Sequence, residues 1–218
     1  VIGAGATGVE LAGALAELAH QTFKEDFRSI DPKQAQIILV EGGPSLLPAY
    51  PENLRENARL SLQSLGVIIK TTTTVTDIQP HHVIVKSGEH IETIPTYTVL
   101  WAAGVQASPW GKILHDRTGV PLDRAGRVIV EPSLCLPHHS NIFVIGDLAH
   151  FSHETSSPLP GVAQVAMQQG QYLADLLQAR LKGQERPMFK YKDLGSMATI
   201  GRAKAIVHMN KIQFNGYL

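Results

Sequence analysis

The spacing of apolar residues changes several times along the chain, and each change marks an element. In residues 7–20 (TGVELAGALAELAH), Leu11, Leu15 and Leu18 return at helical spacing among alanines, which predicts a buried amphipathic helix. Residues 21–35 are polar and read as loop or partial helix. Residues 37–40 (IILV) form an unbroken apolar run, the pattern of a parallel strand covered on both faces, and Glu41-Gly42-Gly43-Pro44 ends it. A second helix is predicted over 52–65, stopped by Gly66, and the β-branched run 67–78 (VIIKTTTTVTDI) reads as one strand. Residues 83–86 and 90–94 flank Ser87-Gly88-Glu89 as a hairpin would. The segment 99–103 then returns as a buried strand that closes at Gly104, before the loop VQASPW.

A new unit starts near Gly126. Residues 127–130 read as a short strand, 141–145 (NIFVI) as an apolar strand, and 161–181 as a long helix ended by Gly183. Residues 189–218 alternate aromatic, basic and glycine positions and read as strands whose sheet would need partners from beyond Leu218. The expected division is 1–108, 109–183 and 184–218, an α/β unit with an antiparallel flap followed by a second α/β piece and a distinct tail. No internal repeat and no low-complexity stretch interrupts it.

Composition narrows the class. With 218 residues, 44% of them hydrophobic, the chain can bury a sizeable core, and one cysteine, Cys135, excludes a disulfide scaffold and fits a reducing compartment. Nineteen Lys/Arg balance nineteen Asp/Glu, against the basic excess of a dedicated nucleic-acid binder. The balance hides an asymmetry, net −4 over residues 1–109 and net +4 over 110–218. Eight basic residues fall between Arg180 and Leu218; they read either as a solvated surface or as an attraction to anionic lipid. No signal peptide is visible, and no run reaches the roughly 18 apolar residues of a spanning helix. The chain starts without Met, with only Val1-Ile2 before a glycine-rich turn, so earlier strand residues are expected to be missing.

Three places carry chemistry. Gly3-Ala4-Gly5-Ala6-Thr7-Gly8 is a GxGxxG sequence between a strand remnant and a helix. Gly3 would permit the tight turn, Gly5 the approach of a pyrophosphate, and Gly8 close helix–strand packing, with the helix N-terminus turned to the phosphates. Glu41, at the end of the second strand, is placed to accept ribose hydroxyls and repel a 2′-phosphate, which predicts NADH over NADPH; a plain surface acid is the other reading. Its distance from Gly8 exceeds the usual roughly 20 residues, which an insertion at 21–35 would explain. Gly146-Asp147 follows the strand NIFVI, where an open α/β sheet meets its ligand, although Gly-Asp is also an ordinary turn pair. In the long helix, Gln164, Gln168, Gln171, Asp175 and Gln178 form one polar stripe, either a solvated face or, at Gln164 and Gln168, amides near a helix N-terminus. His138-His139 and His150/His153 lack an accompanying carboxylate cluster of ligand spacing, so no metal is expected.

The strings VIGAGATGVELAGAL, VLWAAGV, NIFVIGDLAH and GVAQVAMQQGQYLA, in this order, resemble the type II NADH:quinone oxidoreductases, the non-pumping alternative NADH dehydrogenases, over nearly the whole chain. WAAGV and AQVAMQQG, followed by FKYKDLGSMATIG, look specific to that family. The resemblance implies a Rossmann-like NAD-binding domain with an antiparallel flap, followed by the returning half of a Rossmann-like FAD-binding domain. It places Gly3, Gly5, Gly8 and Glu41 at NADH, with Ala103 and Gly104 as a bend close to the nucleotide. Glu10 would lie near nicotinamide and flavin, its other reading being a first-turn acid complementing the helix dipole. Gly146 and Asp147 would hold the ribityl chain of FAD, and Ala163 and Gln164 would stand where quinone approaches the flavin, Gln168 one turn behind.

The implied activity is hydride transfer from NADH to FAD and two electrons onward to a membrane quinone, without proton pumping, at the cytoplasmic or an equivalent organellar membrane face. The membrane-associating region would lie mostly outside this chain, a homodimer is left open, and the separate chain is expected to be inactive. A flavin-dependent disulfide reductase, whose redox cysteines would lie outside the chain, and a non-catalytic NAD-binding module are the alternatives.

Overall fold

A computed structural model describes residues 1–23, 31–154, 157–202, 204–209 and 212–216. The chain divides into two compact units, Val1–Gly104 with Gly195–Leu218, and Val105–Leu194. The contact boundaries fall after Gly104 and Leu194, so residues 195–218 of the expected tail group with the first unit and 184–194 with the second.

In the first unit, helix α1 (Ala6–Glu17) continues into a π-helical turn, Leu18–Thr22. Its buried face is Gly8, Val9, Ala12, Gly13 and Ala16, not the leucine stripe; Leu11 and Leu15 are half-buried and Leu18 is exposed. Close packing decides this. A Cβ on Gly13 would stand 3.0 Å from the Gly201 nitrogen, so only small residues fit between α1 and that segment. Strand β1 (Ile38–Val40) pairs in parallel with β2 (Ile68–Lys70), while Ile2 bridges in parallel to both Val40 and Trp101. The parallel order is thus Trp101, Ile2, β1, β2. Leu39 packs with α1 and α2 (Glu52–Ser64), whereas Ile38 and Val40 pack with the flap, as alternation along a doubly covered strand requires.

The expected single strand at 67–78 is two. β2 ends at Lys70, and β3 (Thr74–Gln79) begins an antiparallel sheet with β4 (His82–Ser87) and β5 (His90–Pro95). The corner between them holds Thr72 at φ 52, and the N–H groups of Thr72 and Thr73 donate to the carbonyls of Gly43 and Glu41. The hairpin forms as expected, with Ser87 opposite His90 across Gly88-Glu89. Residues 99–103 contribute a single bridge at Trp101 rather than an extended strand.

The strands predicted for the tail form β10 (Ser196–Ile200), β11 (Lys204–Met209) and β12 (Ile212–Gly216), antiparallel in that order. They pair with each other inside this chain, which corrects the expectation of partners beyond Leu218. Ala198, Ile200 and Ile206 join the core of α1 and α2, so the sheet finds its apolar partner on those helices.

The second unit opens with α3 (Trp110–Thr118), an element not predicted from the sequence, ended by Gly119 in the left-handed region at φ 72. β6 (Val128–Ile129) pairs in parallel with β9 (Ala149–His150), and β7 (Cys135–Leu136) pairs with β8 (His139–Phe143). The apolar strand is thus shifted from 141–145, and Gly146–Leu148 forms a 3-10 turn after it. α4 (Ala163–Leu181) buries Val165, Gln169, Tyr172 and Leu176, and the latter two join a core with Val128, Leu134, Phe151 and Phe189. Residues 24–30 of the expected insertion lie outside the described residues.

Candidate nucleotide sites

The glycine turn of the first unit is built by backbone contact. Gly3 stands at φ 95, its N–H donates to the Val40 carbonyl at 2.7 Å, and a Cβ there would lie 2.7 Å from the Ala103 backbone. A Cβ on Gly8 would meet the Gly3 carbonyl oxygen at 1.8 Å. Gly5 differs. It is the exposed N-cap of α1, without a side-chain cap, and no atom lies within 4 Å of where its Cβ would be. The first N–H groups of a helix have no partner within the helix, so the open face at Gly5 suits an anion. Ala103 is the residue packed on Gly3, and Gly104 follows at φ 65, exposed.

Glu41 closes the turn. Its Oε2 accepts the N–H of buried Ala4 and its Oε1 the N–H of Gly43, both at 2.7 Å. Each oxygen retains lone-pair capacity for a hydroxyl, so Glu41 joins the glycine turn to a polyol acceptor. Glu10 is half-buried on α1, where its Oε1 accepts the Thr199 N–H at 3.0 Å and the Thr199 hydroxyl at 3.2 Å. It borders a cavity of about 340 Å³ shared with Thr7, Ala14 and Gly201.

In the second unit, Gly146 has φ 68 and its N–H donates to Oε1 of Gln169 at 2.6 Å. Gln169 is 1% exposed and was missed by the sequence reading. The signal existed, since Val165, Gln169, Tyr172 and Leu176 follow helical spacing and an amide among core positions needs a buried partner. Asp147 is exposed and borders a cavity of about 350 Å³ with Gly146, Gly161, Val165, Ala107 and Arg127. A Cβ on Gly161 would stand 3.4 Å from Oδ1 of Asp147.

Asp123, Arg127 and His150, also missed, form a network at this cavity's edge. Asp123 Oδ2 accepts from Arg127 Nε at 2.7 Å and pairs with His150 Nδ1 at 2.9 Å; its Oδ1 accepts the N–H groups of Ala125 and Arg127. Burial raises the Asp123 carboxyl, but the His150 ring, the Arg127 N–H and the Arg127 guanidinium outweigh it and hold the carboxyl at about 2.

The amide stripe divides. Ala163 is exposed in the first turn of α4, and Gln164 Oε1 accepts the Leu194 N–H at 3.1 Å. Gln168 clamps Lys192, accepting its N–H and donating to its carbonyl, both at 2.9 Å. These amides bind the backbone of the segment before β10 rather than forming a wholly solvated face. The structure therefore groups Gly3, Gly5, Gly8, Glu41 and Ala103 in one site, and Gly146 and Asp147 at another.

A glycine turn closed by an acid on a parallel sheet, with an antiparallel flap, defines an α/β protein of the dinucleotide-binding class. The sequence pattern of the pyridine nucleotide-disulphide oxidoreductases matches residues 1–170, and the chain belongs to that family. The type II NADH:quinone oxidoreductase Ndh of Mycobacterium tuberculosis is 41% identical over 222 residues, covering 100% of this chain and 47% of that protein. The Haemophilus influenzae type II NADH:quinone oxidoreductase is 32% identical over 206 residues, covering 94% of the chain and 45% of that protein. The chain spans about half the length of the curated relatives it matches.

Among solved structures, NDH2 of Plasmodium falciparum in complex with NADH superposes with a TM-score of 0.87 at 18% identity, over 99% of this chain and 58% of that one. The NAD-dependent persulfide reductase of A. fulgidus gives 0.70 at 17% identity, over 96% and 35%. At these identities the likeness establishes the fold.

Proposed function

We propose that the protein carrying this chain is a type II NADH:quinone oxidoreductase. The observation that carries the reading is the 41% identity with Ndh along the entire chain. The glycine turn supports it: Gly3 and Gly8 sit where a Cβ would strike backbone, whereas Gly5 faces open space of the kind a pyrophosphate fills. The residues fit both cofactors. Gly3, Gly5, Gly8, Glu41, Ala103 and Gly104 would hold NADH, and Gly146, Asp147, Ala163 and Gln164 would hold FAD. Bound FAD supplies the change from hydride acceptance to electron delivery.

The chain's own residues bind and orient. Glu41 accepts the ribose hydroxyls and keeps a 2′-phosphate away, Asp147 accepts polyol hydroxyls, and Gln169 fixes the Gly146 N–H so that the turn bearing Asp147 keeps its shape. Glu10, held by Thr199, would serve the nicotinamide end of the NADH site. Gln164 faces the quinone side, and Gln168, whose amide is spent on Lys192, is a positioning residue. The electron acceptor is a membrane quinone, and the protein sits on the membrane's cytoplasmic or equivalent face. Among the described residues no helix is long and apolar enough to cross a membrane.

The test is steady-state NADH oxidation by the full-length protein with a soluble quinone analogue, alongside its flavin absorbance. Quinone reduction with bound FAD is the expected result. Reduction of a disulfide or persulfide instead, with no quinone turnover, would transfer the protein to the reductase branch; NADH binding without flavin would make it a non-catalytic module.

A further inference from the structure

The cavity beside Asp147 contains a second charged group that the flavin reading leaves unused. Arg127 lines the same 350 Å³ space, opposite in charge to Asp147, between small residues at Gly146, Gly161 and Ala107. Its side chain is 22% exposed, and its partner Asp123 is 13% exposed. The guanidinium is braced at one edge only. Asp123 takes its Nε, and the same carboxylate closes the turn through the Arg127 N–H, with Gly126 at φ 82 and the Asp123 N–H donating to the Arg127 carbonyl. His150, on β9, and the Ala125 N–H complete the four bonds to the carboxylate. Among the described residues, no hydrogen bond engages the terminal nitrogens of Arg127, which leaves the part of the fork that best matches a phosphate.

A cavity with a carboxylate at one side and a braced guanidinium at another selects a ligand with hydroxyls and an anionic group on one short chain. A polyol phosphate has that chemistry. We propose that Arg127, braced by Asp123 and His150, holds a phosphate of the flavin nucleotide whose polyol chain is held by Asp147. The assignment rests on the flavoprotein reading above and adds to it the group that distinguishes a flavin nucleotide from riboflavin. Asp123 and His150 are positioning residues: they set where the fork points and touch no ligand. The acidic neighbours of the fork are Asp123 and Asp147, so removal of its positive charge leaves the cavity net negative and unfavourable to any phosphate.

The experiment is titration of the full-length apoprotein with FAD, FMN and riboflavin, read by flavin fluorescence. Arg127→Gln is expected to weaken FAD and FMN at least tenfold and riboflavin less than twofold. Arg127→Lys, which keeps a cation against Asp123, should retain an intermediate affinity for the two nucleotides. Equal weakening of all three ligands in both variants would overturn the phosphate role, because general damage does not discriminate by charge. Unchanged FAD and FMN affinity would also overturn it while leaving the flavoprotein reading intact. A wild-type protein that binds none of the three would remove that reading, and this assignment with it.

Discussion

Glu41 is the side chain on which the glycine-turn geometry and the proposed choice of NADH over NADPH both rest, and Glu41→Ala separates the two. In the free protein its carboxylate accepts two backbone N–H groups at 2.7 Å. These losses are unequal. Ala4 is itself fully buried, so its N–H is the costlier one to orphan, at about 1–3 kcal/mol; Gly43 is half-buried and its N–H is largely rehydrated. A total of about 1–3 kcal/mol is expected in urea unfolding of the full-length protein without nucleotide. The second role is charge. A unit negative charge about 4 Å from a phosphate near a protein surface is disfavoured by about 4 kcal/mol before salt screening, so the acid should suppress NADPH by orders of magnitude. In Glu41→Ala the NADH-to-NADPH ratio of kcat/KM should fall at least tenfold, through relief of the NADPH repulsion together with weaker NADH binding. Lost stability with an unchanged ratio would make Glu41 a latch of the glycine turn and remove it from the ribose. An unchanged stability would refute the hydrogen-bond reasoning itself.

Gly5→Ala should leave the melting temperature within about a degree while weakening NADH, since its Cβ meets nothing, whereas Gly8→Ala should destabilise by several kcal/mol because its Cβ would overlap the Gly3 carbonyl; calorimetry and NADH titration check the pair. Gln169→Leu leaves the Gly146 N–H without its acceptor, so thermal unfolding should show a loss of about 1–3 kcal/mol and gel filtration a loss of retained FAD. Asp123 titrates at about 2 in the folded protein, below its ordinary value of 3.8, so its stabilising effect is full above pH 4 and disappears as pH falls toward 2. Urea unfolding across that window should show a steeper loss for the wild type than for Asp123→Asn.

The parts legible in the sequence were those where backbone geometry dictates a residue type. Gly3 and Gly8 had to be glycine for reasons of contact, so the turn was visible as a motif, and Ser87-Gly88-Glu89 announced its hairpin in the same way. The unread parts were those where local propensity and tertiary need disagree. The threonines at 71–73 have the β-branching of a continuous strand, yet Thr72 takes a positive φ so that its N–H and that of Thr73 can reach the carbonyls of Gly43 and Glu41. Helix α3 was hidden by Gly111, a poor helix former, because a Cβ there would lie 2.3 Å from the Gly126 carbonyl oxygen. The leucines of α1 gave the right element and the wrong face, because close packing against the Gly201 segment requires small side chains. Gln169 and the Asp123–Arg127–His150 network escaped for a related reason: each is a polar group whose partner lies 23 or 27 residues away, or across a glycine turn, and spacing along one helix does not encode such a partner. Hence the glycine motif could be read before the fold, and the spacing of α4 marked Gln169 as buried, whereas the partners of Gln169 and of Arg127 become visible only when the fold brings them together.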